Sequence, residues 1–172
     1  MLYFKLYLMM ILVVLLFALY QALFILLNTK VSFWLRFVAI IVIIAVLYLG
    51  ISRNTYLPFL GPMVFPSSLL KDESKPKDAD TLFKVPVMEE DGTKIVYWAS
   101  QKAEKTFEDP WTAYGEFPNT GITIVKNGEA LFSVYCPSGY KVPGKLLAPH
   151  IHYRIVYPKG ILGEIKTFYV DC

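Results

Sequence analysis

Residues 122–158 read ITIVKNGEALFSVYCPSGYKVPGKLLAPHIHYRIVYP, and this stretch decides the fold of the C-terminal part of the chain. Short runs rich in β-branched and aromatic residues alternate with Gly, Pro and Asn, which is typical of strands joined by turns. The dipeptide Asn127-Gly128 stands between two of these runs, and Asn-Gly favours a two-residue turn because both positions need a positive φ. We therefore predict a β-hairpin at this point.

The same pattern continues on both sides, over residues 81–172. Runs such as LFKVPVM, TKIVYWAS and EIKTFYV are separated by turn residues, and Asp91-Gly92 is a second hairpin signal. No long segment here keeps a helical period. We predict about six or seven antiparallel strands that form an all-β sandwich.

One long segment without strand signals interrupts this pattern at residues 101–119. It reads QKAEKTFEDPWTAYGEFPN and carries three large aromatic residues, Trp111, Tyr114 and Phe117. A free loop would not keep such side chains exposed to water. We expect a loop that covers a sheet or contacts a partner.

The N-terminal part of the chain, residues 1–51, has the composition of a membrane segment. Residues 6–27 carry no charge, and a helix of this length spans about 33 Å, enough to cross a hydrocarbon core of about 30 Å. Residues 31–50 are apolar except for Ser32 and Arg36, whose guanidinium is expected to reach the headgroups. We predict two transmembrane helices, 6–27 and 31–50, joined by a short turn.

Two alternatives to this helical hairpin stay open. The first is a cleaved signal peptide, although the apolar run exceeds the usual length of about 7–15 residues and no small-x-small site precedes Asn28. The second is one spanning helix followed by an interfacial or re-entrant helix. The orientation is undecided, because Lys30 and Arg36 on the turn side balance Lys5 and Arg53 on the other.

The charges are distributed unevenly along the chain. All 14 acidic residues lie at or beyond Asp72, and 14 of the 17 Lys and Arg lie at or beyond Arg53, so the C-terminal part is formally neutral. A neutral domain lacks the basic surface that nucleic-acid binding needs. A mean hydropathy of +0.46 with 18% charged residues also excludes an ordinary soluble or a disordered chain.

Residues 52–80 are predicted to be a linker between the two parts. The segment 71–80 alternates charges without apolar periodicity, as a solvated loop does. A continuous helix is excluded by prolines at four positions: Pro58, Pro62, Pro66 and Pro76.

The two cysteines, Cys136 and Cys172, carry little information. Nothing in their spacing indicates a disulfide framework. We expect two free thiols, with a disulfide between them as the alternative.

The residues that indicate chemistry are His150 and His152, the only histidines of the sequence. Residues i and i+2 of a strand point to the same face, so both imidazoles can reach one metal ion, and imidazole suits Fe, Cu, Zn and Ni. Tyr140 precedes them by ten residues and is a candidate phenolate ligand. The alternative is a solvated histidine pair with Tyr140 as a packing aromatic.

Residues 122–158 resemble the iron-binding region of the intradiol ring-cleavage dioxygenases. That family has a D-x-x-G-x-(FY)-x-F hairpin, then P-x-x-Y, then R-P-x-H-I-H-(FY). Upstream, KIVYWAS resembles the V-x-(IV)-W-Q-A strand with Trp98 in the Trp position, and FLGPMVF resembles an L-G-P-x-Y segment. EIKTFYV resembles the T-T-Q-x-Y-F strand. The resemblance covers roughly residues 59–172 and implies the family's β-sandwich, with Fe(III) held by two Tyr and two His.

Carried over residue by residue, this resemblance is incomplete. Tyr140, His150 and His152 match one Tyr and both His, but the second Tyr falls on Val64. The alternatives for the missing phenolate are three other tyrosines of the sequence: Tyr56, Tyr97 and Tyr114.

Two further polar positions of the family also differ. Its Arg, which stabilises charge on the substrate, falls on Leu147, and the Gln of T-T-Q falls on Thr167. The resemblance therefore implies a degenerate site with no catalytic residue and no bound cofactor, Fe(III) being the alternative.

From these features we expect a membrane-anchored structural or interaction protein, a pseudoenzyme that contacts the lipid bilayer and other structural proteins but no nucleic acid. One setting is a minor capsid protein of a large double-stranded DNA virus, where two spans in an internal membrane link lipid to the shell of the virion. The first alternative is a membrane-bound non-haem iron dioxygenase of the intradiol type. The second is a module that binds a small aromatic ligand without turnover.

Overall fold

The computed structural model describes residues 2–70 and 72–172. The chain forms two compact units, residues 1–59 and residues 60–172. Each unit has its own architecture.

The first unit consists of helices α1 (Leu2–Leu27), α2 (Phe33–Ile51) and the single turn α3 (Arg53–Tyr56). The two long apolar helices predicted from the sequence are confirmed, and Leu6–Leu27 and Phe33–Ile51 are long and apolar enough to span a membrane. Helix α2 begins at Phe33 rather than at residue 31, because Ser32 is its N-cap and accepts a hydrogen bond from the Leu35 amide.

Helices α1 and α2 pack on each other through small residues. Ala22 and Ala39 are the buried residues of this pair among those described, and small side chains let helices approach closely. The Arg36 side chain, predicted to reach the headgroups, donates from Nε and Nη2 to the Asn28 carbonyl at 3.2 and 2.9 Å. A cation at the C-terminal end of α1 also interacts favourably with the helix dipole.

Antiparallel sheets make up most of the second unit. Its described strands are β1 (Met63–Val64), β2 (Thr81–Pro86), β3 (Lys94–Ala99), β4 (Thr120–Ile124), β5 (Glu129–Val134), β6 (Tyr140–Val142), β7 (Lys145–Leu147), β8 (His150–Tyr157), β9 (Ile161–Leu162) and β10 (Lys166–Tyr169). Its described residues also form the short helix α4 (Pro110–Tyr114) and 3₁₀ turns at Ser67–Leu69 and Pro158–Gly160, and a further 3₁₀ turn, Pro58–Leu60, lies where the chain passes from the first unit to the second.

The strands pair into three sheets. The largest has the order β1-β9-β8-β3-β4, and β10 also pairs with β8. The pairs β2-β5 and β6-β7 form two-stranded sheets. All of these strand pairs are antiparallel, so the predicted antiparallel β-sheet class is confirmed.

The Asn127-Gly128 turn forms, but the predicted hairpin is wrong beyond it. Both residues have positive φ, and Lys126 and Glu129 exchange two backbone hydrogen bonds across the turn. The ladder then ends, because β4 pairs with β3 whereas β5 pairs with β2. The Asp91-Gly92 turn likewise connects β2 and β3, which lie in different sheets.

A shared core explains why these strands separate. Fully buried side chains come both from the β2-β5 pair and from β3 and β8 of the large sheet, and the Tyr97 ring stacks on the Phe132 ring at 4.9 Å. Burial of apolar area on both sides outweighs continuation of one ladder. The core cluster contains Val85, Ile95, Tyr97, Ala99, Val125, Ala130, Phe132, Val134 and Ile151.

Part of the segment predicted as a linker folds with the sheets. β1 pairs with β9, and the backbones of Ser74 and Ile122 exchange two hydrogen bonds of 2.9 Å. The segment predicted as a loop, 101–119, contains α4, whose N-cap Asp109 accepts a hydrogen bond from the Thr112 amide at 2.9 Å.

The expectation of free thiols is wrong, because Cys136 and Cys172 form a disulfide with their Cα atoms 6.1 Å apart. Pairing of β10 with β8 carries the C-terminal end of the described chain back toward the segment after β5. This proximity depends on strand order, which the spacing of the cysteines does not reveal.

Candidate metal site

Strand β8 positions both histidines. His150 and His152 are its first and third residues, and β8 is paired with β3 on one side and with β10 on the other. Their side chains therefore lie on one face of a strand held from both sides. The two Nε2 atoms are 3.2 Å apart, so the predicted approach of the two imidazoles on one face is found.

The β6-β7 hairpin brings Tyr140 to the same point. Its Oη lies 3.1 Å from His150 Nε2, and the bond between them is buried. The structure thus brings together the three residues that the sequence singled out, Tyr140, His150 and His152. Their binding of a metal stays a prediction.

A fourth side chain, Tyr114, completes the cluster. It is the last residue of α4, and its Oη lies 3.1 Å from Tyr140 Oη. Phe107 holds this segment in place, because its backbone pairs with Tyr140 and its ring packs against the same cluster. Tyr114, Tyr140 and His150 are 9%, 5% and 4% exposed.

The other positions considered for the second phenolate lie elsewhere. Val64 is in β1, paired with Ile161, and is 82% exposed. The Tyr97 hydroxyl donates to the Ser133 carbonyl at 3.0 Å within the main core, and Tyr56 belongs to the first unit. The sequence did contain a signal for Tyr114, since Asp109-Pro110 is a helix start and places Tyr114 one turn later.

The hydrogen bonds on the far side of each imidazole differ. His150 Nδ1 lies 2.6 Å from the Ala148 carbonyl oxygen, which can only accept, so Nδ1 carries the proton. In neutral His150 the Nε2 lone pair therefore faces the cluster. His152 Nδ1 lies 3.0 Å from Thr167 Oγ1, a hydroxyl that can donate or accept.

Without a cation, these groups compete for one lone pair. Tyr140 Oη and His152 Nε2 both lie within hydrogen-bond distance of His150 Nε2. If both donate, they share a single acceptor, and if His152 does not donate, two lone pairs face each other. A cation that binds the lone pairs of all these groups removes this conflict.

Each pair of successive donor atoms has the spacing of two ligands of one ion. Ligand atoms about 2.0–2.1 Å from one ion and about 90–110° apart lie about 2.9–3.4 Å from each other. The three successive contacts from Tyr114 to His152 measure 3.1, 3.1 and 3.2 Å. A carbonyl or hydroxyl behind each histidine is also the usual support of an imidazole ligand.

Burial keeps the Tyr114 hydroxyl neutral. It raises the pKa of Tyr114 far above the ordinary value, and the hydrogen bond to Tyr140 raises the pKa further. Coordination as phenolate therefore requires loss of a proton that the metal-free protein holds tightly.

The environment of the cluster is largely apolar and aromatic. Trp98 lies 5.6 Å from the His152 ring, Tyr169 lies 5.7 Å from the His150 ring, and Leu147 packs beside Tyr140. A cavity of about 370 Å³ lies nearby, lined by residues 102–106 and 136–139 with Pro149 and Cys172, but none of the four residues of the cluster lines it.

Comparison with family models, curated proteins and solved structures finds no match for this chain. The resemblance to the intradiol dioxygenases stays a prediction from the residues quoted above.

Proposed function

We propose that the second unit is a β-sandwich of the intradiol dioxygenase type that binds ferric iron, and that the two helices anchor it in a lipid bilayer. The ligands are Tyr114, Tyr140, His150 and His152. The observation that carries this proposal is the unbroken series of contacts between their four donor groups, each 3.1 or 3.2 Å long.

The sandwich is supported by the common core. The buried faces of the β2-β5 pair and of strands β3 and β8 contribute to one cluster of fully or almost fully buried residues. Two antiparallel sheets that share a core in this way are the basic plan of a sandwich.

The donor set matches the one that the resemblance implies, two Tyr and two His. Ferric iron in such a site would bind a catechol and promote its reaction with dioxygen. The chain's own groups have defined tasks: Ala148 orients His150, Tyr114 and Tyr140 each give up a proton, and the apolar environment excludes water from the ligands.

A second candidate function is an anchored structural protein in which the same site supports no turnover, such as a minor capsid protein between an internal membrane and a shell. Leu147 favours this candidate, because it stands where the family has an Arg that stabilises the substrate. Burial of three of the four ligands also favours it, as does Trp111, which is 79% exposed and available to a protein partner.

The disulfide supports an assignment of topology. Disulfides persist in oxidising compartments, so we place the second unit outside the reducing cytosol. Two spans would then put the turn at Asn28 on the cytosolic side; the charge preference is neutral here, because Lys30 and Arg36 near the turn balance Lys5 and Arg53.

The test is iron content, visible absorbance and oxygen uptake with catechol, measured on the full chain in detergent. We expect one ferric ion per chain with a phenolate-to-iron absorption band. In Tyr114→Phe the band shifts and iron binds more weakly, whereas the matched control Tyr157→Phe, in the half of β8 remote from the histidines, changes neither.

Each other outcome is informative. Iron with no oxygen uptake would support the second candidate. A colourless protein that takes up no ferric iron would contradict the metal site.

A further inference from the structure

We infer that Thr167 is a positioning residue that holds His152 in either of its two neutral tautomers and so lets this ligand switch between the metal-free and the metal-bound state. The inference rests on the proposed iron site. Thr167 stands where the family has a Gln, so the resemblance implied that a polar group is lost at this position.

The register of the sheet places the two residues face to face. Thr167 in β10 is the direct cross-strand partner of His152 in β8, and directly opposite residues project to the same side of a sheet. Thr167 Oγ1 lies 3.0 Å from His152 Nδ1. The contact is therefore built by the strand pairing.

The two histidines differ in the kind of group that faces their Nδ1 atoms. The Ala148 carbonyl can only accept, so neutral His150 has a single tautomer. The Thr167 hydroxyl can reverse its role, so neutral His152 has two.

Each tautomer suits one state of the site. In the metal-free protein, His152 Nε2–H shares the His150 lone pair, 3.2 Å away, with the Tyr140 hydroxyl at 3.1 Å, and Thr167 donates to Nδ1. When a metal is bound, Nε2 must present its lone pair, so Nδ1 carries the proton and Thr167 accepts. The hydrogen bond to Thr167 survives the exchange, which keeps the ring in place in both states.

The chain offers sharp variants for a test. Thr167→Val keeps the β-branched shape but removes the hydroxyl, and Thr167→Ser keeps the hydroxyl. The matched control is Thr120→Val, because Thr120 Oγ1 is buried and makes no hydrogen bond to any described residue.

The first measurement is long-range ¹H–¹⁵N NMR of the imidazoles in the full chain labelled with ¹⁵N-histidine. The sequence contains only two histidines, so two ring systems are observed. In the wild type we expect His152 to carry its proton on Nε2 without metal and on Nδ1 with Ga(III), a diamagnetic substitute for ferric iron. The same tautomer in both states would overturn the inference.

The second measurement is the affinity for ferric iron. We expect Thr167→Val to weaken binding about 10–100-fold, the usual effect of losing such a contact, and Thr167→Ser and Thr120→Val to bind like the wild type. Wild-type affinity in Thr167→Val would overturn the inference while leaving the iron site intact.

If the wild type binds neither Ga(III) nor iron, the proposed function fails. The switch then fails with it, and the metal-free NMR spectra test only the contact between Thr167 and His152. Movement of the His152 nitrogen shifts in Thr167→Val, with none in Thr120→Val, would support the contact, and unchanged shifts would refute it.

Discussion

The helical unit and the β unit bury their apolar side chains in different ways. In the helices, large side chains such as Leu16 and Phe17 are exposed, and among the side chains that the structure describes Ala22 and Ala39 are the buried ones. In the β unit, Ile95, Phe132 and Ile151 have no or almost no exposure. The helices therefore suit an external apolar solvent, such as the bilayer in which we propose that they lie, whereas the β unit depends on its own core and its disulfide.

The largest expected effect is on the core of the β unit. Phe132→Ala removes a fully buried ring that stacks on Tyr97 and contacts Tyr153, so it should lower the free energy of unfolding by about 3–5 kcal/mol. Denaturant unfolding of the β unit measures this loss. The control is Leu131→Ala, on the exposed face of the same strand, and Leu16→Ala in α1 should leave the unfolding transition of the β unit unchanged. An equal loss of stability in either variant would contradict the difference in burial between the two units.

The disulfide should contribute somewhat less. Its 36-residue separation closes a loop in the unfolded chain, for which a stabilisation of about 2–4 kcal/mol is typical. Thermal unfolding of the wild type with and without reductant measures this contribution. A Cys136→Ser, Cys172→Ser double variant should unfold like the reduced wild type and ignore the reductant, and a response to reductant in that variant would refute the assignment.

In the helical unit, the sensitive positions are the small ones. Ala22→Phe should force the helices apart at a cost of about 1–3 kcal/mol, whereas Ala45→Phe, on an exposed face, should have no effect. Distances between spin labels on the two helices, in the double serine background, report the separation. Equal distances in both variants would show that Ala22 does not lie in the interface.

The smallest effect concerns Asp80 in the β unit. Hydrogen bonds from Lys102, Thr81 and the Cys136 amide lower its pKa from 3.8 to about 2. A lowered folded-state pKa means that the stabilisation is complete above the unfolded pKa of 3.8 and is lost as the pH falls through about 2. Stability measured between these values should fall less steeply in Asp80→Asn, and identical slopes would contradict this assignment.

The two units also differ in how much of their structure the sequence predicts. An apolar run long enough to cross a bilayer is a local property, so both helices were predictable, and the N-cap Ser32 explains why α2 begins at Phe33. In the β unit, the turn at Asn127 was predictable from local backbone preference. The partners of the flanking strands were not, because burial on two faces decides them.

The candidate site likewise combines local contacts, which the sequence predicts, with contacts between distant segments, which it does not. His150 and His152 share a face through the strand period alone, and Tyr140 is close in sequence. Tyr114 reaches the cluster only because the segment before α4 pairs with β6, and Thr167 reaches it only through the register of β10 on β8. Such contacts between distant segments leave no periodic signal.

Resonance Raman spectroscopy of the iron-loaded full chain, excited in its visible band, is the sharpest test of the iron site. We predict two sets of iron–tyrosinate vibrations, one of which disappears in Tyr114→Phe and the other in Tyr140→Phe, with both retained in Tyr157→Phe. Absence of tyrosinate vibrations, or a spectrum that Tyr114→Phe leaves unchanged, would contradict it.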